Sequence, residues 1–287
     1  MKTMIKSLKS IGILLFLFLL NSGFEIYSPG VVYSPSLKTK NDLNMSVSLA
    51  APVSSWLNIG AAYAIDNHTG LMIHGISNNV NHKGAVTIDL TNTISYSNTN
   101  TSINKIRMNA VEIGAGCFYS LGRKKNRLFQ LYGGIGGGSG SDAYVDNDLL
   151  KYMVSSKFYT AFLQTSWAYT GKYFESELDL KANYVRIYSF SGIIPYEYDE
   201  LHTIPYMFKD LNASGICIEP VYTMKVGSPS LKAIFQFGLE TNYVINSPEY
   251  EYNWQTGTSS LDIAALLSVF KVSIGISYTF RENDFKH

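Results

Sequence analysis

Between positions 175 and 181 the chain reads Glu-Ser-Glu-Leu-Asp-Leu-Lys, which sets Glu175, Glu177, Asp179 and Lys181 at alternate positions. In an extended chain, side chains two apart share a face, so three carboxylates and an ammonium form one column. Such a column can pair ions, relay protons or select a charged solute. The same alternation sets Glu219 with Lys225 and Lys232 with Glu240, and adds single charges at Glu112 and Lys271. These six acids and four bases, if gathered in one interior, have to pair, because an unpaired buried charge is costly. Two readings follow: a closed charge network that fills the interior, or an open lane of acids that passes small solutes.

Other chemistry is thin. Of the five histidines, His68, His74, His82, His202 and His287, only His202 has acids beside it, Asp199 and Glu200 in "YEYDELHTIPY". No second acid pair accompanies it, so it reads as a solvated loop histidine and no catalytic residue is assigned. No His/Cys pair has the spacing of metal ligands, and no metal or cofactor is expected. The glycine-rich "GGIGGGSGSD" (133–142) lacks the Lys-Ser/Thr of a phosphate loop and precedes no helical pattern. It reads instead as small residues that make room in, or bend, a strand. A net charge of +1 argues against a nucleic-acid partner. The chain is therefore not expected to be an enzyme.

Period-two alternation runs through the chain and predicts ten strands: 43–53, 55–65, 70–78, 104–121, 127–138, 156–169, 173–189, 213–226, 231–246 and 264–280. In 173–187, Phe174, Ser176, Leu178, Leu180, Ala182 and Tyr184 oppose the charged column; in 231–245, Phe235, Phe237, Leu239 and Tyr243 oppose Lys232, Gln236 and Glu240. Several of these strands far exceed the five or six residues usual in soluble sheets. Every second connection is short (66–70, 122–127, 170–172, 227–230), whereas 79–103, 139–155, 190–212 and 247–263 are long; only the first, near 52–55, breaks the pattern by being short. Short turns on one side and long loops on the other, with an even strand number, are the plan of an outer-membrane barrel. The fold class expected is thus all-β, an antiparallel transmembrane β-barrel of about ten strands, eight to twelve being admissible.

The flanking segments agree. Lys2, Lys6 and Lys9 precede the apolar "IGILLFLFLL", then Ser22 and Gly23, the layout of a secretory signal peptide over 1–23. Residues 24–42 form a short periplasmic or luminal lead-in, 43–280 the barrel and 281–287 a tail. The last strand carries "SIGISYTF", in which Ser273, Gly275, Tyr278 and Phe280 match the C-terminal barrel-assembly signal. Here the chain resembles outer-membrane β-barrel proteins of Gram-negative bacteria. The stretches 58–75 and 111–138 further resemble uncharacterised barrels of Bacteroidetes type. The resemblance implies outer-membrane lipid and the barrel-assembly machinery as partners, and little chemistry.

Trp56, Trp167, Tyr169, Tyr173, Tyr188 and Tyr278 fall near strand ends, as aromatic girdles do. Arg107 and Arg186 fall on the lipid side near the outer end, within reach of anionic headgroups. Cys117 and Cys217 are both placed on the lipid face, as free thiols. Aromatic and polar loops at 193–208 and 247–260 suit an extracellular ligand, or pack on one another to cap the barrel. The function expected is a structural or surface-binding outer-membrane protein with a filled lumen. A narrow, porin-like solute pore is the alternative, and a barrel-embedded hydrolase stands behind it.

Overall fold

The structure is a computed structural model. It describes residues 32–51, 56–83, 85–88, 94–97, 103–122, 126–146, 149–199, 202–246, 249–250, 259–260 and 269–281. Among the described residues the strands are β1 (Leu43–Ala51), β2 (Trp56–Ala64), β3 (Thr69–Lys83), β4 (Ala85–Ile88), β5 (Ile94–Ser97), β6 (Ile103–Leu121), β7 (Arg127–Asp146), β8 (Leu149–Thr170), β9 (Phe174–Asp199), β10 (His202–Gly227), β11 (Leu231–Asn246), β12 (Glu249–Tyr250), β13 (Ser259–Ser260) and β14 (Val269–Phe280). Ten of them close into one antiparallel barrel in the order β1-β14-β11-β10-β9-β8-β7-β6-β3-β2. The small hairpins β4–β5 and β12–β13 interrupt the meander on one rim. Closure comes from the first and last strands, which pair from Leu43↔Phe280 to Ala51↔Val272.

The pleat sorts the side chains inside out. Ile135, Leu163, Trp167, Leu178, Ile274 and Ile276 are more than half exposed, while Gln130, Gln164, Glu177, Asp179, Asn183 and Glu219 are almost fully buried. A soluble domain does the reverse. The apolar belt faces outward on every barrel strand and the polar groups face a common lumen. Tyr169, Tyr173 and Tyr278 stand exposed near strand ends together with Trp167, whereas Tyr188, expected there too, is exposed in the middle of the longer β9 and the side chain of Trp56 lies outside the described set.

The rims are unequal. Turns at 65–68, 171–173 and 228–230 are tight; in the first, the Asp66 carboxylate accepts the backbone N–H groups of His68 and Thr69 at 2.7 and 2.6 Å. These bonds to its charged form hold the Asp66 carboxyl below its usual pKa. On the other rim the expected long loops 139–155 and 190–212 are mostly strand. β7 and β8 stay paired out to Asp146↔Leu149, and β9 and β10 to His202↔Asp199. Sequence alternation fades there because Ser139, Ser141 and Ser155 occupy the outward face, yet a backbone ladder needs no apolar face to form. Pro195 and Pro205, which suggest a loop, stand opposite each other in the ladder. With a rise of about 3.3 Å per residue and a tilt of about 40°, the 22 residues of β8 span ~55 Å along the axis. That is about twice the ~25 Å apolar band of an outer membrane.

Candidate functional site: a lumen lined by ion pairs and entered by the N-terminal segment

All ten charged residues expected inside do line the lumen. Nine are buried and Lys271 is nearly so. They form three tiers. Nearest the tight turns, Lys232 Nζ lies 2.7 Å from Glu175 Oε1, and Lys225 Nζ 3.3 Å from Glu177 Oε2. Gln130 Nε2 donates to Glu177 Oε1 at 2.9 Å, and the Ser166 hydroxyl donates to Asp179. In the middle, Lys181 Nζ holds both oxygens of Glu112, at 2.8 and 2.6 Å, and lies 4.9 Å above the ring of Phe162. Towards the hairpin rim, Asn183 Nδ2 donates to Glu219 at 2.5 Å, Lys271 pairs with Glu240, and Asn242 Nδ2 donates to Glu240 at 2.8 Å. The column on β9 thus reaches across to β6, β7, β8, β10 and β11, and every lysine of the expected set meets a carboxylate.

Two members escape a reading by sequence adjacency. His74, buried on β3, sits opposite Glu112 in the ladder with Nδ1 3.4 Å from Glu112 Oε2. Its parity with Met72, Ile76 and Asn78 is the signal that places it inside. Lys38 approaches Glu175 to 3.8 Å from the N-terminal segment. Burial lowers the Lys38 pKa from its usual 10.5 to about 8, against the pull of Glu175.

Of the two places expected for the lead-in, periplasmic or luminal, its described part takes the luminal one. Of the lead-in, residues 32–37 are all buried inside the barrel and belong to no ladder. The barrel holds them by side chains. Gln236 Nε2 donates to the carbonyl of Val32 at 3.0 Å, Gln164 Nε2 to that of Tyr33 at 3.0 Å, and Lys225 Nζ to that of Ser34 at 2.9 Å. Lys225 also reaches Ser36 Oγ at 2.6 Å, and Ser36 Oγ lies 3.3 Å from Glu177. The Tyr33 hydroxyl donates to Asn44, its carbonyl and side-chain oxygens both lying at 3.0 Å. The Tyr33 ring lies so close to Gly60 that a Cβ there would overlap it, and a Cβ on Gly70 would come within 2.8 Å of Leu37. One cavity beside Tyr33, lined also by Ser48, Asn58 and His74, holds about 10 Å³, about the space of one water. At the rim the segment turns over Asp42, whose carboxylate accepts the N–H groups of Lys38 and Thr39 at 2.9 and 3.1 Å. Asn41 N–H donates to Ala64 O and Ala64 N–H to Asp42 O, both at 2.9 Å.

The glycine-rich stretch contributes space, as expected. A Cβ at Gly136 would come within 2.8 Å of the Glu112 side chain and the Thr160 hydroxyl, and one at Gly138 within 2.8 Å of Phe158. The inward aromatics of β8 lie over this stretch. Cys217 corrects an expectation: it is buried in the lumen, two residues from Glu219 and on its side of the pleat, while Cys117 takes the outward phase. The backbone of His202 opens β10 opposite Asp199, but its side chain lies outside the described set, as do most of 193–208 and 247–260. The signal 1–23 and the tail beyond Arg281 also lie outside it. Among the described residues no group of three or more His, Cys, Asp or Glu is arranged to hold a metal.

Ser273, Gly275, Tyr278 and Phe280 lie on β14, where the barrel closes. Ser273 Oγ donates to Gln236 at 2.8 Å inside, and the Tyr278 and Phe280 rings meet edge-on at 4.4 Å outside. A Cβ at Gly275 would overlap the backbone of β1, so glycine lets the closing strands approach.

No protein-family model and no curated protein matches the chain. In structure it is similar to the outer membrane protease OmpT of Escherichia coli, at 12% identity over 88% of this chain and 99% of that one, with a TM-score of 0.46. It is also similar to the N-terminal β-barrel domain of Pseudomonas aeruginosa OprF (6% identity, 85% and 100% covered, TM-score 0.31) and to Acinetobacter baumannii CarO (8%, 84% and 98%, TM-score 0.30). At these identities the likeness is one of barrel architecture alone.

Proposed function

We propose that this chain is an integral outer-membrane protein whose lumen is closed, and whose role is structural or lies at its outer surface, in binding. The observation that carries this is the inverted burial: large apolar side chains outside, paired ions and amides inside. Burying the belt requires an apolar solvent, and a closed barrel leaves no unpaired strand edge in it. The tight-turn rim faces the periplasm, and the long β7–β8 and β9–β10 hairpins stand above the membrane, where a ligand would meet them. Arg107, Lys157 and Arg186 support that orientation. Each is exposed on the outer wall, 12 to 14 residues from the tight-turn end of its strand. That is a height of about 30–35 Å at ~2.5 Å per tilted residue, the level of anionic headgroups. At the midplane such a residue would cost about 2–4 kcal/mol.

The resemblance of 58–75 and 111–138 to uncharacterised barrels of Bacteroidetes type supports this reading. No catalytic role is assigned. The narrow-pore alternative requires an open lane, whereas Lys181, Lys225, Lys232 and Lys271 each lie against a carboxylate and residues 32–37 are buried in the lumen beside them. The experiment is gel migration of protein from purified outer membranes, with and without boiling, followed by planar-bilayer conductance. A heat-dependent shift with no conductance is the expected result. Recovery in the periplasm without a shift refutes the membrane reading, and steady conductance refutes closure.

A further inference from the structure

The geometry points to the lumen as a binding site for a peptide segment, occupied in cis by residues 32–38, which act as a detachable plug. The inference rests on the membrane reading above and adds the ligand class of its lumen. The site grips a backbone: three consecutive carbonyls, of Val32, Tyr33 and Ser34, are taken by Gln236, Gln164 and Lys225 from three different strands. Two side-chain pockets add sequence preference, one over Gly60 for Tyr33 and one over Gly70 for Leu37. The ligand is therefore a peptide with an aromatic and an aliphatic residue four apart and a left-handed backbone at the residue before the aliphatic one, as at Ser36 (φ 49°).

Withdrawal leaves no gripping charge alone. Lys225 keeps Glu177 and Glu175 keeps Lys232. Gln236 Nε2 retains Thr223 Oγ1 at 3.0 Å, and its carbonyl oxygen retains Ser273. The penalty that normally locks a buried charged contact, an orphaned partner, is thus absent here. Because the segment is held by side chains and not by a ladder, it leaves without opening the wall. The exposed residues Thr39 and Lys40 form the link to β1.

The test uses the full chain carrying Tyr33→Ala with Leu37→Ala, which removes both anchors and leaves the wall intact. In a planar bilayer this variant is expected to conduct where the parent does not. A synthetic peptide Val-Tyr-Ser-Pro-Ser-Leu-Lys added on the tight-turn side should close it saturably, and a scrambled peptide should not. In detergent, the same peptide carrying a fluorophore should gain anisotropy with the variant and not with the parent. A variant that inserts and shifts on boiling yet stays closed, or that ignores the peptide in both assays, overturns the inference alone. Failure of parent and variant to insert overturns the membrane reading, and the detergent assay then still decides the peptide site.

Discussion

Gly60→Ala is the smallest change that probes the plugged lumen. Gly60 lies in the β2 ladder, opposite Ser46 on β1 and His74 on β3, so its backbone has little room to yield. The added methyl overlaps the buried ring of Tyr33. Forcing both to coexist costs about 1–3 kcal/mol, the range for overpacked cores. Expelling the ring instead forfeits its burial, roughly 5 kcal/mol at most for ~200 Å² at 25 cal/mol/Å², and a hydroxyl bond to Asn44 worth ~1 kcal/mol. Overpacking is the cheaper outcome, so the single variant should lose about 1–3 kcal/mol. Tyr33→Ala alone should lose about 3–5 kcal/mol, as large aromatic truncations do. In the Tyr33→Ala background the sign reverses: with the ring gone, alanine in a strand is worth about 0.5–1 kcal/mol over glycine. Urea unfolding of the four proteins in lipid vesicles measures the cycle. Additivity within ~0.5 kcal/mol, the behaviour of independent sites, would refute the contact between Tyr33 and Gly60 and with it the placement of the segment.

Lys181→Met should cost about 3–5 kcal/mol in the same assay, because it strips a buried carboxylate of its main partner, and Glu112→Gln added to it should restore most of the loss; a single-variant cost below ~1 kcal/mol would mean that water reaches Glu112. For Lys38 the folded pKa of about 8 lies below its usual 10.5. The unfolded chain therefore binds more protons between those values, and stability should rise as pH climbs from 8 to 10.5 and be flat from this group below 8. Lys38→Met should remove that rise, and an unchanged slope would place Lys38 in solvent. Phe280→Ala should lower the amount of heat-modifiable barrel in outer membranes while Phe285→Ala does not. The reverse pattern would move the assembly signal into the tail.

The wall of this barrel is legible in sequence because strand periodicity is local. The parity of Glu175, Glu177, Asp179 and Lys181 assigns the inward face of β9 without reference to any neighbour. The same parity rule assigns Cys217 and His74 to the lumen. Misplacing Cys217 meant setting it off-phase from Glu219, and His74 is overlooked when acids are sought beside it in sequence, since its partner Glu112 is 38 residues away across a ladder. Strand ends beyond the apolar band are less legible, because hydrogen-bonded hairpins with serine on the outside and opposed prolines carry no hydrophobic signature. The segment "VYSPSLK" is illegible in isolation. It has no period, and its partners lie at 164, 225 and 236.

The width of the barrel explains why such a segment is needed. Eight strands enclose an interior that wall side chains can fill, and diameter grows roughly linearly with strand number. Ten strands leave a surplus that lysines and glutamates, reaching inward in pairs, only partly cover. The β7–β8 side closes its share with aromatics, Phe158 and Phe162 lying over the glycines of β6 and β7. On the other side Gly60, Ala62, Ala64 and Gly70 present a floor of small residues along β2 and β3, and Tyr33 and Leu37 are packed against it. If the small residues on β2 and β3 exist to receive the segment, then Gly70→Leu should fill the Leu37 pocket from the wall. That variant would keep the lumen closed near the tight turns even when Leu37 is alanine, whereas Gly75→Leu, on the outward phase of β3, would not. A conductance trace in which both behave alike would mean that closure depends on the ion pairs alone.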